Sequence, residues 1–286
     1  LVYCNKIRLD TKKLYSLFAS SAGVSTDTRK ISKDEIYFSL KGDNFDGNKF
    51  ALEAIKNGAK FSIVDDKRLE GKDDRIVYVN DSLKALQDLS NYHRSLFDTK
   101  VIGVTGSNGK TTTKEILARI LEQRFSTLSS EASFNNDIGV PLTLLRLMED
   151  HQIGIVEIGT NHPGEMRSLL SIAQPRFGVL TSIGSEHLEF FGDLEGVIFE
   201  EGFLAEILPE DGCLFVNDDI EGLETLRARC RAPVVTVGES DRSDWTISKI
   251  ELSNDGTAFE LISPKGDWDG DYRVNLLGRH NALNAA

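Results

Sequence analysis

Thr105-Gly106-Ser107-Asn108-Gly109-Lys110-Thr111-Thr112 places two glycines and a lysine among hydroxyl side chains, directly after the apolar run Val101-Ile102-Gly103-Val104. Gly106 and Gly109 let the backbone turn so that successive N–H groups converge on phosphate oxygens, helped by the positive end of a following helix. Lys110 then reaches the terminal phosphates, and Thr111 offers its hydroxyl to Mg2+, which keeps most of its waters and takes few protein ligands. The spacing departs from the usual Walker pattern, because Val104 stands where the first glycine would be. A bare glycine-rich turn is the alternative reading. The strand-like run before it and the helix-like run after it favour nucleotide binding, with Gly106, Asn108, Gly109, Lys110, Thr111 and Thr112 as the contacts.

Ligands of open α/β sheets collect at the carboxyl ends of the strands, which gives weight to Glu157 and His187. Glu157 ends the run Ile153–Val156 and can hold Mg2+ directly or through water; a glutamate in a buried salt bridge is the bland alternative. His187 follows the run Phe177–Ile183 and a short polar loop. A lone histidine is more often structural, but this position beside the phosphate loop favours a functional one. His162 has a weaker claim, as a substrate contact. His93 and His151 are expected on the surface.

The elements that must position these groups follow from the hydrophobic pattern. Residues 1–97 alternate helical and extended stretches and read as a small α/β domain. From residue 98, apolar runs at Val101–Val104, Ile153–Ile158, Phe177–Ile183, Cys213–Asn217 and Val234–Val237 are separated by helix-length segments. That pattern requires parallel strands with crossover connections, a doubly wound, mostly parallel sheet over residues 98–286. After Ser240, runs at Trp245–Leu252, Thr257–Leu261 and Tyr272–Leu276 are joined by Asn-Asp-Gly and Pro-Lys-Gly turns, the signature of an antiparallel edge addition.

The 286 residues hold 33 basic against 45 acidic side chains, a formal net charge of −12. Scattered cations on an acidic protein argue against a nucleic-acid or anionic-membrane surface, so phosphates must be bound locally. No apolar stretch approaches the ~18 residues of a spanning helix, and no leader pattern is present, which points to a cytoplasmic protein without membrane insertion. Cys4, Cys213 and Cys230 are too few and too far apart for a disulfide framework or a zinc knuckle, and read as reduced thiols.

Taken together, Thr105–Thr113, Phe134-Asn135-Asn136-Asp137-Ile138-Gly139-Val140-Pro141-Leu142-Thr143, Asn161-His162-Pro163-Gly164-Glu165 and Glu186–Gly192 resemble the Mur ligases. Thr26-Asp27-Thr28-Arg29, Leu40-Lys41-Gly42 and Phe45-Asp46-Gly47 extend the resemblance to that family's UDP-binding domain. The Asn-His-Pro-Gly-Glu segment resembles the members that join D-alanyl-D-alanine to UDP-N-acetylmuramoyl-tripeptide. The resemblance implies an ATP- and Mg2+-dependent ligase of peptidoglycan precursor synthesis, acting as a monomer through an acyl phosphate. It places one metal near Thr111 and Glu157, a second near His187, and Lys110, Glu157 and His187 at the chemistry. Thr28, Arg29, Lys41, Asp46, Gly47, Asn135, Asn136, Asn161 and His162 fall at substrate positions, and Asn281 and Asn284 at the adenine.

Two departures stand out. The family carries a carbamylated lysine ahead of a glycine where this chain has Glu201-Gly202. A glutamate keeps the negative charge but ends roughly 3–4 Å short. Either Glu201 is a built-in anion for the second metal, or Glu195, Glu200 and Glu201 form a solvated acidic helix face. Ala132-Ser133 also replace the family's Gly-Asn. Competing identities are a folylpolyglutamate-synthase-like or single-amino-acid ligase, and a nucleotide-binding module without catalysis. The ends at Leu1 and Ala286 carry the expectation of a fragment that lacks a C-terminal domain and is inactive alone.

Overall fold

The computed structural model describes residues 10–184 and 188–286. They form two compact units: one holds the described residues up to Phe97 together with Leu144–Leu147, the other Asp98–Thr143 and Met148–Ala286.

The first unit contains α1 (Thr11–Ala19), β1 (Val24–Ser25), β2 (Ile36–Phe38), the hairpin β3 (Lys41–Gly42) and β4 (Phe45–Asp46), a 3-10 turn (Gly47–Phe50), α2 (Ala51–Lys56), β5 (Phe61–Val64), β6 (Ile76–Tyr78) and α3 (Ser82–Arg94). Its sheet is parallel in the order β1-β2-β5-β6. β2 and β5 are buried almost throughout, as central parallel strands covered on both faces must be. Tyr37 packs with Ala54, Ile55 and Ala59 in this core. Asp10 and Asp81 cap α1 and α3 by accepting the Lys13 and Lys84 amides. His93, expected on the surface, is buried at the end of α3. Its ring packs against Phe18 and Phe97, and its Nε2 donates to the Leu147 carbonyl at 3.0 Å. An amphipathic imidazole with a carbonyl to satisfy its N–H is content inside.

The second unit runs through β7 (Lys100–Thr105), α4 (Lys110–Leu121), β8 (Thr127–Ser129), α5 (Gly139–Leu144), β9 (Ile153–Glu157), α6 (Glu165–Ala173) and β10 (Phe177–Leu180). It continues with α7 (Leu188–Phe191), α8 (Leu194–Glu201), α9 (Phe203–Ile207), β11 (Cys213–Asn217), α10 (Leu223–Arg229), β12 (Val234–Gly238), β13 (Trp245–Ser253), β14 (Gly256–Ile262), β15 (Gly270–Val274) and α11 (His280–Ala285). Among the described residues the sheet order is β15-β14-β13-β12-β11-β10-β7-β9-β8. From β7 the chain crosses to the edge strand β8, returns to β9 beside β7, and then winds outward through β10, β11 and β12 on the other side. The loop after β7 therefore stands where the winding reverses, the place where α/β sheets bind ligands. α4 covers this region by packing Leu117, Ala118 and Leu121 against Val104, Ile153 and Ile155.

The antiparallel addition begins one strand later than the hydrophobic pattern indicates. β13 pairs parallel with β12, through Val237↔Trp245 and Gly238↔Thr246 only, and β14 and β15 are antiparallel. The link between β12 and β13 is too short for a helical crossover, so β13 can overlap only the end of β12. Asp244 fixes that link by accepting the Thr236 amide and hydroxyl, each at 2.9 Å. Cys213 and Cys230 are free thiols, and no described helix is long and apolar enough to cross a membrane.

Candidate active site

The phosphate loop is shaped by close backbone contact with the segment after β10. Gly106 has φ +116°, and a Cβ there would lie 2.5 Å from Thr181 Oγ1 and 2.8 Å from the Ser182 carbonyl, so only glycine fits. Ser107 N donates to Ser182 O at 2.9 Å, Asn108 N to Ser182 Oγ at 2.8 Å, and Gly184 N to Ser107 Oγ at 2.8 Å. Thr181 Oγ1 donates to the Asn108 carbonyl at 2.6 Å. Thr181 and Ser182 thus brace the loop, a role that no local pattern around them signals. Gly109, at φ +90°, starts α4 in the left-handed conformation. Lys110 Nζ donates to the Gly106 and Ser107 carbonyls, so the ammonium curls over its own loop.

β9 carries Glu157 to the far side of that loop. The carboxylate is 1% exposed, and its Oε1 accepts the Thr111 hydroxyl at 3.1 Å and the Asn135 amide at 2.9 Å. Its Oε2 has no hydrogen-bond partner and lies 3.8 Å from Lys114 Nζ. Thr111, Asn135 and Glu157, far apart in sequence, are therefore brought together. A buried carboxylate with one orphaned oxygen, its other oxygen shared with a threonine hydroxyl, suits Mg2+, a hard cation that takes one or two protein oxygens plus phosphate and water. No three His, Cys, Asp or Glu side chains among the described residues form a metal-binding group by themselves. His187 lies outside the described residues.

Asn136, expected to face substrate, is exposed and also caps a helix: its Oδ1 accepts the Ile138 and Gly139 amides at 3.2 and 2.8 Å at the start of α5. The Asn-His-Pro-Gly-Glu segment is folded by its own last residue. Glu165 Oε2 accepts the amides of Asn161 and His162 at 2.8 and 3.0 Å, and Oε1 pairs with His162 Nδ1 at 3.1 Å. Asn161 and His162 stay exposed, and the His162 ring rests 4.6 Å from that of Phe190.

The acidic pair on α8 is not a solvated face. Only Glu195 is exposed; Glu200 and Glu201 are buried. Glu200 accepts the Gly164 and Met166 amides at 2.9–3.0 Å, capping α6. Burial pushes the Glu201 carboxyl up to about 7, against the pull of the Thr105 hydroxyl, the Lys110 charge and the Gly106 amide, and with added repulsion from Glu200. A cavity of about 20 Å3, room for one water or small ion, adjoins it and touches Gly106, Ser107, Lys110, Thr160 and Glu200.

On α11, Asn284 Nδ2 donates to Asn281 Oδ1 at 3.1 Å, and Asn281 Nδ2 to the Leu277 carbonyl at 2.9 Å. A Cβ on Gly109 would come within 2.6 Å of Asn284 Oδ1, so α11 abuts the phosphate loop. An apolar cavity of about 260 Å3 lies beside it, lined by Ile116, Val179, Phe215, Val237 and Leu283 among others.

In the first unit, Lys41 and Asp46 converge on a residue that sequence reasoning missed. Asn48 Nδ2 donates to Asp46 Oδ1 at 2.9 Å and to Asp65 Oδ1 at 2.7 Å, and its Oδ1 accepts from Ser39 Oγ and the Asp65 amide. Lys41 Nζ completes the node at 2.7 Å from Asp65. Gly47 packs so closely that a Cβ would lie 2.6 Å from the Leu40 carbonyl. Arg29 is exposed and forked onto Asp27, whose carboxyl it holds down to about 2. Asp66–Arg68 and Asp73–Arg75 repeat that turn, so the Asp-x-Arg pattern alone is not diagnostic. Thr28 is half-buried, its carbonyl accepting from Asn57 Nδ2 at 3.1 Å.

Comparison with known proteins bears on what this arrangement does. The model described as "Mur ligase middle domain" matches residues 104–286, and that described as "Mur ligase family, catalytic domain" matches residues 21–94. UDP-N-acetylmuramoyl-tripeptide–D-alanyl-D-alanine ligase of Bacillus subtilis is 34% identical over 265 residues, which is 92% of this chain and 56% of the relative. Its Escherichia coli counterpart is 35% identical over 264 residues, 92% of this chain and 58% of the relative. The chain thus spans a little over half the length of these curated relatives. Among solved structures, MurF from Acinetobacter baumannii superimposes with a TM-score of 0.86 at 29% identity, over 96% of this chain and 62% of that one. MurF ligase from Thermotoga maritima in complex with ADP gives 0.80 at 28%, over 94% of this chain and 61% of that one.

Proposed function

Since this chain belongs to the Mur ligase family, we propose that it forms the nucleotide- and UDP-substrate-binding part of an ATP-dependent ligase that joins D-alanyl-D-alanine to UDP-N-acetylmuramoyl-tripeptide. The observation that carries this reading is the Thr111–Glu157–Asn135 cluster beneath the phosphate loop, in a chain whose similarity to ligases of that name runs over 92% of its length.

A carboxylate is a poor electrophile until one of its oxygens becomes a leaving group. In the proposed reaction the tripeptide carboxylate attacks the γ-phosphorus of ATP, and the bond to the β–γ bridging oxygen breaks. The amine of D-alanyl-D-alanine then attacks the acyl carbon; phosphate departs and the amine gives up a proton. Lys110 exchanges its loop carbonyls for terminal phosphate oxygens, while the backbone N–H groups of residues 107–111 cradle the rest. Thr111 and Glu157 are the groups that hold Mg2+, and bound Mg2+ offsets the charge of two approaching polyanions. Glu201 places a carboxyl group at the cavity beside Lys110, charged as pH rises through about 7, in the place of the family's carbamylated lysine. Asn281 and Asn284 face the adenine, whose ring has an apolar neighbour in the 260 Å3 cavity. Asn161 and His162 meet the peptide substrates. In the first unit Arg29 and Lys41 are exposed cations for the UDP diphosphate, and Thr28, Asp46 and Gly47 shape that subsite.

Phosphate release by a turnover-competent protein carrying this chain tests the reading. UDP-N-acetylmuramoyl-tripeptide and each candidate amine are omitted in turn. Release that requires D-alanyl-D-alanine supports it; turnover with glutamate and a folate, or with a single amino acid, overturns it.

A further inference from the structure

Lys114 sits one turn beyond Lys110 on α4 and has no exposed surface. Its Nζ donates to the carbonyls of Ser130 and Ala132, each at 2.8 Å, and lies 3.0 Å from Glu115 Oε1 and 3.8 Å from Glu157 Oε2. A side chain present only to fill this space would be apolar, since an apolar one of equal length carries no charge to strip of water. The ammonium is kept, and these contacts are all anions or carbonyls.

Two further observations meet at the same point. Ala132 has φ +42°, the left-handed region that a residue with a Cβ holds only where its surroundings determine it. Lys114 bonds that residue's own carbonyl. The second is the buried Glu157 Oε2, which lacks a hydrogen-bond partner and has the Lys114 ammonium as its counter-charge.

We propose that Lys114 is a positioning residue for the metal–nucleotide site: it pins the strained Ser130–Ala132 turn that leads into Asn135, and it orients Glu157 by charge. Lys114 touches neither phosphate nor metal. It acts through Asn135 and Glu157, whose Oε1 must accept from the Asn135 amide and the Thr111 hydroxyl at once. Without the ammonium the turn relaxes from its left-handed conformation, the Asn135 amide leaves Glu157, and the carboxylate samples other directions. This inference rests on the reading of Thr111 and Glu157 as holders of the divalent cation.

The test is Mn2+ binding to the purified chain in the presence of ADP, followed by the electron-paramagnetic-resonance signal of free Mn2+, with ADP binding in chelator measured separately. Lys114→Met is expected to weaken Mn2+ binding at least tenfold and to change ADP affinity in chelator by less than twofold. Combined with Asn135→Ala, it should cost less than the sum of the two single changes, because both act through one contact. Unchanged Mn2+ affinity in a Lys114→Met chain whose circular dichroism matches that of the unsubstituted chain would overturn the role of Lys114. Absence of ADP-dependent Mn2+ binding in the unsubstituted chain would instead remove the site reading itself. Lys114→Gln, which still donates to one carbonyl, replaces Lys114→Met if the latter does not fold. Failure of both to fold makes Lys114 a folding residue and the proposal wrong.

Discussion

Thr111 Oγ1 donates to Glu157 Oε1 across 3.1 Å, which joins the first turn of α4 to the last residue of β9. In the proposed function this hydroxyl and this carboxylate share one cation. Glu157→Gln keeps the shape and removes the charge, and it is expected to lower ATP-dependent turnover about a hundredfold or more, since a metal contact is worth several kcal/mol. Thr111→Ser should retain most activity and Thr111→Val little. Initial rates across a Mg2+ titration check this; a Glu157→Gln enzyme with an unchanged Mg2+ requirement would contradict it.

Glu201 should trade stability for function. Its carboxyl is raised to about 7 in the folded chain from an ordinary value near 4.5, so between those values the folded state holds more protons than the unfolded one. Stability contributed at low pH is then lost as pH rises through about 7, by on the order of 3 kcal/mol at most. Glu201→Gln is expected to raise the melting temperature at pH 8 and to leave it nearly unchanged at pH 5, while turnover falls. Equal melting shifts at both pH values would show that the carboxyl does not titrate in this range.

His93 gives the opposite slope. Burial lowers its imidazole below the usual 6.5, although the Leu147 carbonyl on Nε2 pulls the other way. Below about 6.5 the unfolded chain takes up the proton that the folded chain refuses, so this share of stability is complete above 6.5 and drains away on acidification. Thermal melts of His93→Gln between pH 8 and 5 should show a shallower acid loss than the unsubstituted chain. A ring that titrates at or above 6.5 by NMR would rule this out.

Arg29 is the exposed cation assigned to the UDP substrate, already aligned by Asp27. Arg29→Ala should raise the KM for UDP-N-acetylmuramoyl-tripeptide about tenfold or more, the worth of a charge-assisted hydrogen bond, and leave the KM for ATP alone. Arg68→Ala, in a turn of the same shape, serves as the comparison and should do neither. Equal effects of the two would remove Arg29 from the subsite.

Much of the second unit was legible because its signals are local. The phosphate loop needs glycines at fixed places, and buried parallel strands read as unbroken apolar runs, so β7, β9, β10, β11 and β12 lie where the pattern puts them. Glu157 was legible because it ends such a run. Lys114 was not: Lys-Glu after Thr112-Thr113 looks like a solvated helix face, and only the turn at Ser130–Ala132, brought in from elsewhere, makes it an interior residue. Asn48 was hidden for the same reason, since its partners Ser39 and Asp65 are joined by the sheet rather than by spacing. β1 and β8, of two and three residues, are too short to show a period.

The Glu165 carboxylate that folds the Asn-His-Pro-Gly-Glu segment has a consequence for how such a protein can change. The backbone of that turn is held by the Glu165 carboxylate, by the Thr160 hydroxyl on the His162 carbonyl and by Glu200 on the Gly164 amide; the Asn161 side chain makes none of these bonds, and that of His162 adds only its ring contacts with Glu165 and Phe190. On the proposed reading of these two exposed positions as substrate contacts, ligand choice there is separable from scaffold. New residues can be tried there without redrawing the loop, which makes the segment a natural place for one ligase to drift toward another's amine.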